Sequence, residues 1–477
     1  MLVTKSDVCW KVTSDSKFFR EVYDMKKMLF SLFMVVAIVL GSTTTAFAAP
    51  DKLIGVNVVL NTDLTDDILV ELGTHGKVRD LIPAINALTM QVRESKLDTI
   101  RALPFVESAN PDAIRNGAPV DTVAATDFSS GQSTWDLDAV NVTDYGSGRT
   151  EVFDGTGVYV AVLDTGLVDT WRMFFPEERI AEEYGIAFGG GGGEMGFVSS
   201  QPNKWEHDQN SHGTHVTSTI LGYSLRGAAV NGVAPMATVI PVKVLNQNGS
   251  GWSSVVARGI SYVAELKEGP LAAYPVVINM SLGGSALDAV EKAAIDHAIS
   301  VGVIIVASAG NEGMAGMGFP GAYEPVISVA ASGWVGEWTA AGWWRTLDVA
   351  DPTDPDYFYI TDFSSRELPG QDLDVAAPGS WIVGPYKINS GNTPSYYYLG
   401  GTSMASPHVA GIVALMAQKN PGLSAFEAET ILETSAIPLP AGSRNVLSPY
   451  GLVTVSWGDD ASGSGLATAD AALAATP

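Results

Sequence analysis

From about residue 135 onward the chain repeats one pattern: a short unbroken run of β-branched and aliphatic residues, then a stretch with apolar positions three and four apart. The runs are VYVAVLD (158–164), TVIPVKVL (238–245), VVINMSL (276–282), VIIVASAG (303–310) and VISVAA (326–331). Helical patterns lie near 213–222, 253–266, 287–300, 404–419 and 425–434. Unbroken runs, unlike alternating ones, mark strands covered on both faces. Their alternation with helices predicts an α/β fold, a doubly wound parallel sheet with helices on both faces. In such sheets a ligand sits beyond the carboxyl ends of the strands. The residues to inspect there are Asp164, Ser281 and Asn311.

Residues 51–115 are patterned differently. LIGVNVVL reads as a strand, DDILVELGTHG as a helix, KVRDLIPAINALTMQV as further strand, and ESKLDTIRALPFV as a helix with its exit. That β-α-β-β-α-β order predicts a small α+β unit of ferredoxin-like type. The stretch NPDAIRNGAPVDTVAATDFSSGQST (110–134), rich in Pro, Gly, Ser and Thr, reads as a linker. Upstream, MKKMLFSLFMVVAIVLGSTTTAFA (25–48) sets two lysines before an apolar run at 28–40, with small residues Ala46 and Ala48 at its end. This is the layout of a secretory signal peptide, and the run is short for a membrane span of about 20 residues. Residues 1–24 do not share that layout, so Met25 is the expected start and 1–24 a dispensable extension. The expected organisation is a signal peptide (25–48), a propeptide (49–115), a linker (116–134) and a large domain (135–477). It implies a secreted, extracellular protein with no membrane attachment after processing.

Charge sharpens this division. Of 27 Lys+Arg and 52 Asp+Glu in the chain, residues 1–115 hold 13 and 14, so almost all of the net charge of −25 lies in the body. Nucleic-acid binding needs a positive field, which such a body lacks. Self-repulsion also favours a monomer. The single cysteine, Cys9, lies ahead of the signal peptide. No disulfide framework, cysteine zinc site or cysteine nucleophile is available beyond it. FGGGGGEMGF (188–197) lacks the Gly-Lys-Ser/Thr ending of a phosphate-binding loop and reads as surface loop. Residues 332–362 carry Trp334, Trp338, Trp343 and Trp344, then DVADPTDPDYFYITD. That is long and aromatic for a connection, and long loops tend to carry function.

The candidate chemistry centres on GGTSMASPHVAG (400–411) and its Ser403. A serine nucleophile needs a base in reach and an acid to orient that base. The order Ser–Asp–His of a nucleophile elbow fails, because the only later histidine, His408, lies five residues on in the following helix. The order Asp–His–Ser works: Asp164 ends an apolar strand in VAVLDTG, and His212 opens a helix in NSHGTHV. His215, one turn further, reads as a packed, hydrogen-bonded histidine, and His207 as a loop residue. A metal site of His207, His212 and His215 would lack the HExxH glutamate. Asp164-Thr165-Gly166 also matches an aspartic-protease motif, but that mechanism needs a second copy, which is missing.

On these three motifs the chain resembles the subtilisin-like serine proteases (subtilases, peptidase family S8), from about residue 51 to 473. GVAPMATVIPVKVLNQNGSG, INMSLGG, SAGNEG and DVAAPG are also similar to the family. The resemblance implies an Asp164, His212, Ser403 triad, with Asn311 as the oxyanion-hole side chain. It implies that Ser281-Leu282-Gly283 and Ser308-Ala309-Gly310 wall the S1 pocket, with Gly318 near its floor, and that P1 is a sizeable apolar residue. Residues 51–115 would be an inhibitory propeptide and intramolecular chaperone, the partners would be protein substrates and that propeptide, and the chain's end would be the family's closing segment. No cofactor is expected for the chemistry. The loop LRGAAVNGVAP has Arg226 where a calcium-ligating asparagine is expected, so that calcium site should be absent; Asp351, Asp354 and Asp356 are alternative calcium ligands or a solvated turn. The competing function is a catalytically silent subtilase-fold binding protein.

Overall fold

In the computed structural model, residues 51–124, 134–144, 148–191, 198–225, 227–386 and 395–477 are described. Cys9, Met25, the signal peptide, the tip of the glycine loop (192–197) and Arg226 lie outside them. Residues Lys52–Pro477 form one compact unit.

A sheet of nine strands organises this unit. Its path runs Phe358–Ile360, Ile327–Trp334, Val303–Ser308, Val276–Met280, Tyr159–Asp164, Thr238–Lys243, Ile186–Gly190 and Val198–Ser200, with Val375–Pro378 also on Ile327–Trp334. Only the pairings of Phe358–Ile360 and Val198–Ser200 are antiparallel. The remainder are parallel. Side chains alternate between two cores as strand geometry requires. Val160, Val162, Ile304 and Val306 face the core that holds helices His212–Leu221 and Thr402–Lys419. Ala161, Leu163, Ile305 and Ala307 face the core under helices Ser253–Glu268 and Ala289–Ser300. Strand order reverses direction at Tyr159–Asp164, so the carboxyl end of that strand opens at a crevice.

Leu53–Leu60, Gly76–Ile82, Ala87–Arg93 and Val106–Pro111 build a separate antiparallel sheet, with helices Asp66–His75 and Leu97–Arg101 between them. Leu53–Leu60 sits inside it, flanked by Ala87–Arg93 and Val106–Pro111, which is the ferredoxin-like order. The unbroken run LIGVNVVL has a physical reason. Val56, Val58 and Leu60 enter this unit's own core, whereas Val59 joins the core of the large sheet. Asn57, on the same face as Val59, donates to Asp288 Oδ2 at 2.8 Å and Asp112 Oδ1 at 3.1 Å.

The small unit also completes two helices of the large one. Asp112 Oδ1 accepts from Ser254 N at 3.0 Å and from Ser253 Oγ at 2.9 Å, at the start of Ser253–Glu268. Asn110 Oδ1 accepts from Ala289 N at 3.0 Å, at the start of Ala289–Ser300. Helix starts leave N–H groups unpaired and carry partial positive charge, so an acid and an amide there satisfy both needs.

Two expectations change, and of two alternatives for the Asp-rich turn one is favoured. Part of the segment read as a linker is laid into strands at Ile114–Asn116 and Asp121–Ala124, paired with Ser250–Trp252 and Tyr396–Gly400, while 125–133 lie outside the described residues. Its ladder partners are borrowed from distant chain, which local composition does not register. The aromatic insert is packing. Trp334 stacks on Trp135 with centroids 6.1 Å apart, and Trp343 on Tyr398 at 5.8 Å, while Trp338 meets Trp381 edge-on. Finally, Asp351, Asp354 and Asp356 do not converge. Asp351 accepts from Thr353, Asp354 from Asp356 N, and Asp356 pairs with Arg444, so each serves its own turn or ion pair.

Candidate active site

Asp164 ends its strand wholly buried, and its Oδ1 accepts from Thr165 N at 2.6 Å. Both its oxygens lie 2.9 Å from Nδ1 of His212, the first residue of helix His212–Leu221. That helix is brought against the strand by close backbone approach. A Cβ on Gly213 would lie 2.5 Å from Gly166 O, and Gly213 N donates to Thr165 Oγ1 at 2.8 Å. The turn before it is held by Asp208, which accepts from Asn210 N, Ser211 N and Thr214 Oγ1 at 3.0, 2.7 and 3.0 Å. Burial pushes the Asp208 carboxyl up to about 6, against the pull of Lys243. Asp208 was not singled out from sequence; a polar residue four positions before a helix-opening histidine carries no distinctive signal.

Burial disfavours a charged imidazole, but at His212 the Asp164 carboxylate outweighs it and holds the pKa above the usual value. His212 Nε2 is buried with no hydrogen-bond partner. His215, whose Nε2 lies 3.2 Å from Ile382 O, is pushed down to about 3 by burial, so it is a neutral packing group. His207 is exposed and His215 packs away from it, so the three histidines form no metal-ligating group among the described residues. His408 lies within the buried helix, its Nε2 3.0 Å from Asp136 Oδ2.

Ser403 is the second residue of helix Thr402–Lys419 and is 3% exposed. Its hydroxyl donates to Ser281 O at 3.2 Å, and Ser281 Oγ donates back to Ser403 O at 2.8 Å. Asn311 is fixed by the residue before the serine: its Oδ1 accepts from both Thr402 N and Thr402 Oγ1 at 2.9 Å. With the carbonyl end of the amide committed, the NH2 end is the donor left for the cleft that Asn311 and Ser403 line together. Thr402 is a second residue that sequence reasoning passed over.

The cleft encloses about 680 Å³. Gly283, Ser308, Gly310 and Gly318 line it, whereas Ser281, Leu282 and Ala309 are buried behind its walls. The two walls are tied by Gly284 N donating to Phe319 O and Phe319 N to Gly284 O, at 2.9 and 2.7 Å. Through the cleft runs the chain itself. Asn116 exchanges two 2.9 Å hydrogen bonds with Gly283, and Ile114–Asn116 pairs on its other side with Ser250–Trp252. Gly117 N donates to Gly249 O at 2.8 Å, and Val120 N to Gly400 O at 2.7 Å. A Cβ on Gly117 would meet Ser281 O at 2.7 Å and His212 Cε1 at 3.4 Å. The Asn116–Gly283 bridge is isolated; continued by two residues in antiparallel register it would set Ala118 opposite Ser281, whose carbonyl receives the Ser403 hydroxyl.

Two groups of carboxylates could hold a cation, Asp138 with Asp144 and Asp348, and Asp372 with Asp374 and Glu429; within each the oxygens lie within 4.8 Å of one another. Among the described residues no helix is long and apolar enough to cross a membrane.

Residues 155–465 match the family model described as "Subtilase family". The chain is 34% identical over 267 residues to the thermostable alkaline protease of Halalkalibacterium halodurans, covering 56% of this chain and 58% of that protein. It is 33% identical over 295 residues to subtilisin DY of Bacillus licheniformis, covering 61% and 88%. In fold it is similar to fervidolysin from Fervidobacterium pennivorans, a keratinolytic enzyme related to subtilisin, with a TM-score of 0.62 and 24% identity over 89% of this chain and 61% of that one.

Proposed function

The chain belongs to the subtilase family of serine peptidases, and from that premise we propose that it is a secreted serine endopeptidase, made as a proprotein that cuts its own chain. The observation that carries the reading is the Asp164–His212 pair beside a strand whose backbone passes Ser403. Ser403 Oγ attacks the carbonyl of the residue lying opposite Ser281. For this the hydroxyl turns from Ser281 O to the unpartnered His212 Nε2, which takes its proton and then delivers it to the leaving amine. Asp164 holds the Nδ1–H tautomer and stabilises the imidazolium. The tetrahedral oxyanion receives the Asn311 NH2, oriented by Thr402, and the backbone N–H of Ser403 at the start of its helix. Water then releases the acyl group by the same steps in reverse order.

In the precursor the carbonyl at that position is Ala118, so the first cut falls after Ala118, within 113–133. Residues 49–118 are then the propeptide, and its tail occupies the cleft as a substrate does. The small walls Gly283, Gly310 and Gly318 leave room for an apolar P1 side chain. The leader at 25–48 supports export, and a cation held by either carboxylate group would serve a structural role.

The test is mass spectrometry of secreted wild type and Ser403→Ala. Wild type should begin within 113–133, hydrolyse casein and label at Ser403 with a fluorophosphonate. Ser403→Ala should accumulate as an unprocessed form beginning near Ala49. Full casein hydrolysis by Ser403→Ala would refute the mechanism, and a processed but unlabelled, inactive wild type would favour the silent binding protein.

A further inference from the structure

Within the segment that threads the cleft, Arg115 is a charged side chain with no exposure at all, and its partner Glu291 is equally buried. Arg115 Nε lies 3.0 and 3.2 Å from the two Glu291 oxygens, and its Nη2 bonds Glu291 Oε2 as well. Nη2 also donates to Ala286 O at 2.9 Å. Gly284 leaves the room: a Cβ there would stand 2.3 Å from Ile114 O and 2.7 Å from Arg115 Nη1. Glu291 lies in the first turn of helix Ala289–Ser300, where the helix dipole favours an anion.

The two halves of this pair have different fates under the proposed processing. Arg115 leaves with the propeptide; Glu291, Ala286 and Gly284 stay in the enzyme. Departure strips a buried carboxylate of its only ion partner among the described residues, which costs more than the net worth of the pair. Asp288 loses Asn57 and Asn110 as donors in the same step. The recess therefore becomes more acidic than it was in the precursor, and it keeps a fork of acceptors (two carboxylate oxygens and the Ala286 carbonyl) matched to a planar guanidinium. A lysine would fill it less well, being a single point of charge.

We infer that Glu291 is a specificity-determining residue, selecting substrates with arginine three residues before the one whose carbonyl is attacked, the relation of Arg115 to Ala118. This rests on the peptidase reading above and narrows its substrate class. Strand pairing sets the distance: a substrate held by Gly283 and Ser250–Trp252 as Asn116 and its neighbours are has its side chain at that position over Glu291.

The mature enzyme is tested on Arg-Asn-Gly-Ala p-nitroanilide and on the same peptide with norleucine, lysine or glutamate in place of arginine. Charge-assisted hydrogen bonds from three donors predict a kcat/KM for the arginine peptide about 30-fold or more above that of norleucine. The glutamate peptide should be the poorest. In Glu291→Gln the arginine advantage over norleucine should shrink to within about threefold. Because Glu291→Gln would strand Arg115 during folding, it is also made together with Arg115→Met, which leaves no unpaired charge in the precursor. Equal hydrolysis of the arginine and norleucine peptides by wild type overturns the inference and leaves the peptidase intact, the pair then only fastening the propeptide. Arginine preference that survives Glu291→Gln overturns the assignment to Glu291. Failure to cleave any of the peptides, with no fluorophosphonate labelling, instead refutes the peptidase reading itself.

Discussion

Thr402→Val tests whether the residue before the nucleophile aims the oxyanion donor. Valine keeps the shape and removes one atom's chemistry. Two hydrogen bonds go, from Thr402 Oγ1 to Asn311 Oδ1 at 2.9 Å and from Gly310 N to Thr402 Oγ1 at 3.2 Å; the bond from Thr402 N to Asn311 Oδ1, also 2.9 Å, remains. Asn311 thus keeps one of two anchors. A neutral hydrogen bond contributes about 0.5–1.5 kcal/mol, and the upper bound is complete loss of the donor, about 2.7–4 kcal/mol when such a group is removed from a subtilisin. We expect kcat to fall about tenfold, near 1.4 kcal/mol, with KM within about twofold, because the amide bonds the transition state and not the bound peptide. The assay is a double-mutant cycle on a p-nitroanilide substrate with Asn311→Ala as the second arm, and Thr402→Ser as the variant that restores the hydroxyl. If Thr402 acts through Asn311, its substitution in the Asn311→Ala background costs less than about twofold. An undiminished tenfold loss there would mean that Thr402 works by some other route, such as the stability of the Gly310 turn.

Asn311→Ala alone should lower kcat by roughly 10²–10³ with little change in KM, a magnitude taken from the subtilisin case; a change confined to KM would make Asn311 a binding residue. The pH dependence follows from His212, whose pKa is held above the usual histidine value by Asp164. The base must be neutral, so kcat/KM should fall as pH drops through that raised value, and a limb centred well below pH 6.5 would contradict it. Stability runs the other way: the His212–Asp164 contribution is fully present below the unfolded-state histidine pKa and is lost as pH rises through the folded one. Thermal melts of Ser403→Ala across pH 5–9, with and without Asp164→Asn, should therefore converge at the alkaline end. Deleting residues 51–115 should yield inactive or aggregated material that recovers activity when the segment is supplied in trans, because a large parallel sheet with distant pairings folds slowly; unaided refolding at a comparable rate would remove the chaperone role.

Five strands of the large sheet could be read from sequence because each is buried on both faces and so is continuously apolar, as in VVINM and VIIVAS. The outlying strands were not legible. Ile186–Gly190 ends in two glycines, and Phe358–Ile360 is three residues long; both exist because a neighbour offers a ladder, which no local period records. The same distinction governs the site. Asp164, His212 and Ser403 each stand in a short motif and declare themselves. Arg115 and Glu291 are 176 positions apart, each unremarkable in its surroundings, and only the passage of Ile114–Asn116 along Gly283 joins them. Thr402 carries no motif of its own apart from that of Ser403, and its part shows only as a hydroxyl on Asn311.

The unbroken chain from Ile114 to Ala124, which joins two short strands, also bears on when such an enzyme would begin to work. While the chain is whole, the occupant of the cleft is tethered at both ends, and no dilution can remove it. A cut at Ala118 turns that internal contact into a complex between two molecules. From then on release depends on the propeptide's dissociation constant and on how far the pair has been diluted. A cell interior or a crowded envelope keeps the concentration high and the enzyme silent; the volume outside lowers it without limit. Export would then act as the timer, with no separate activator required.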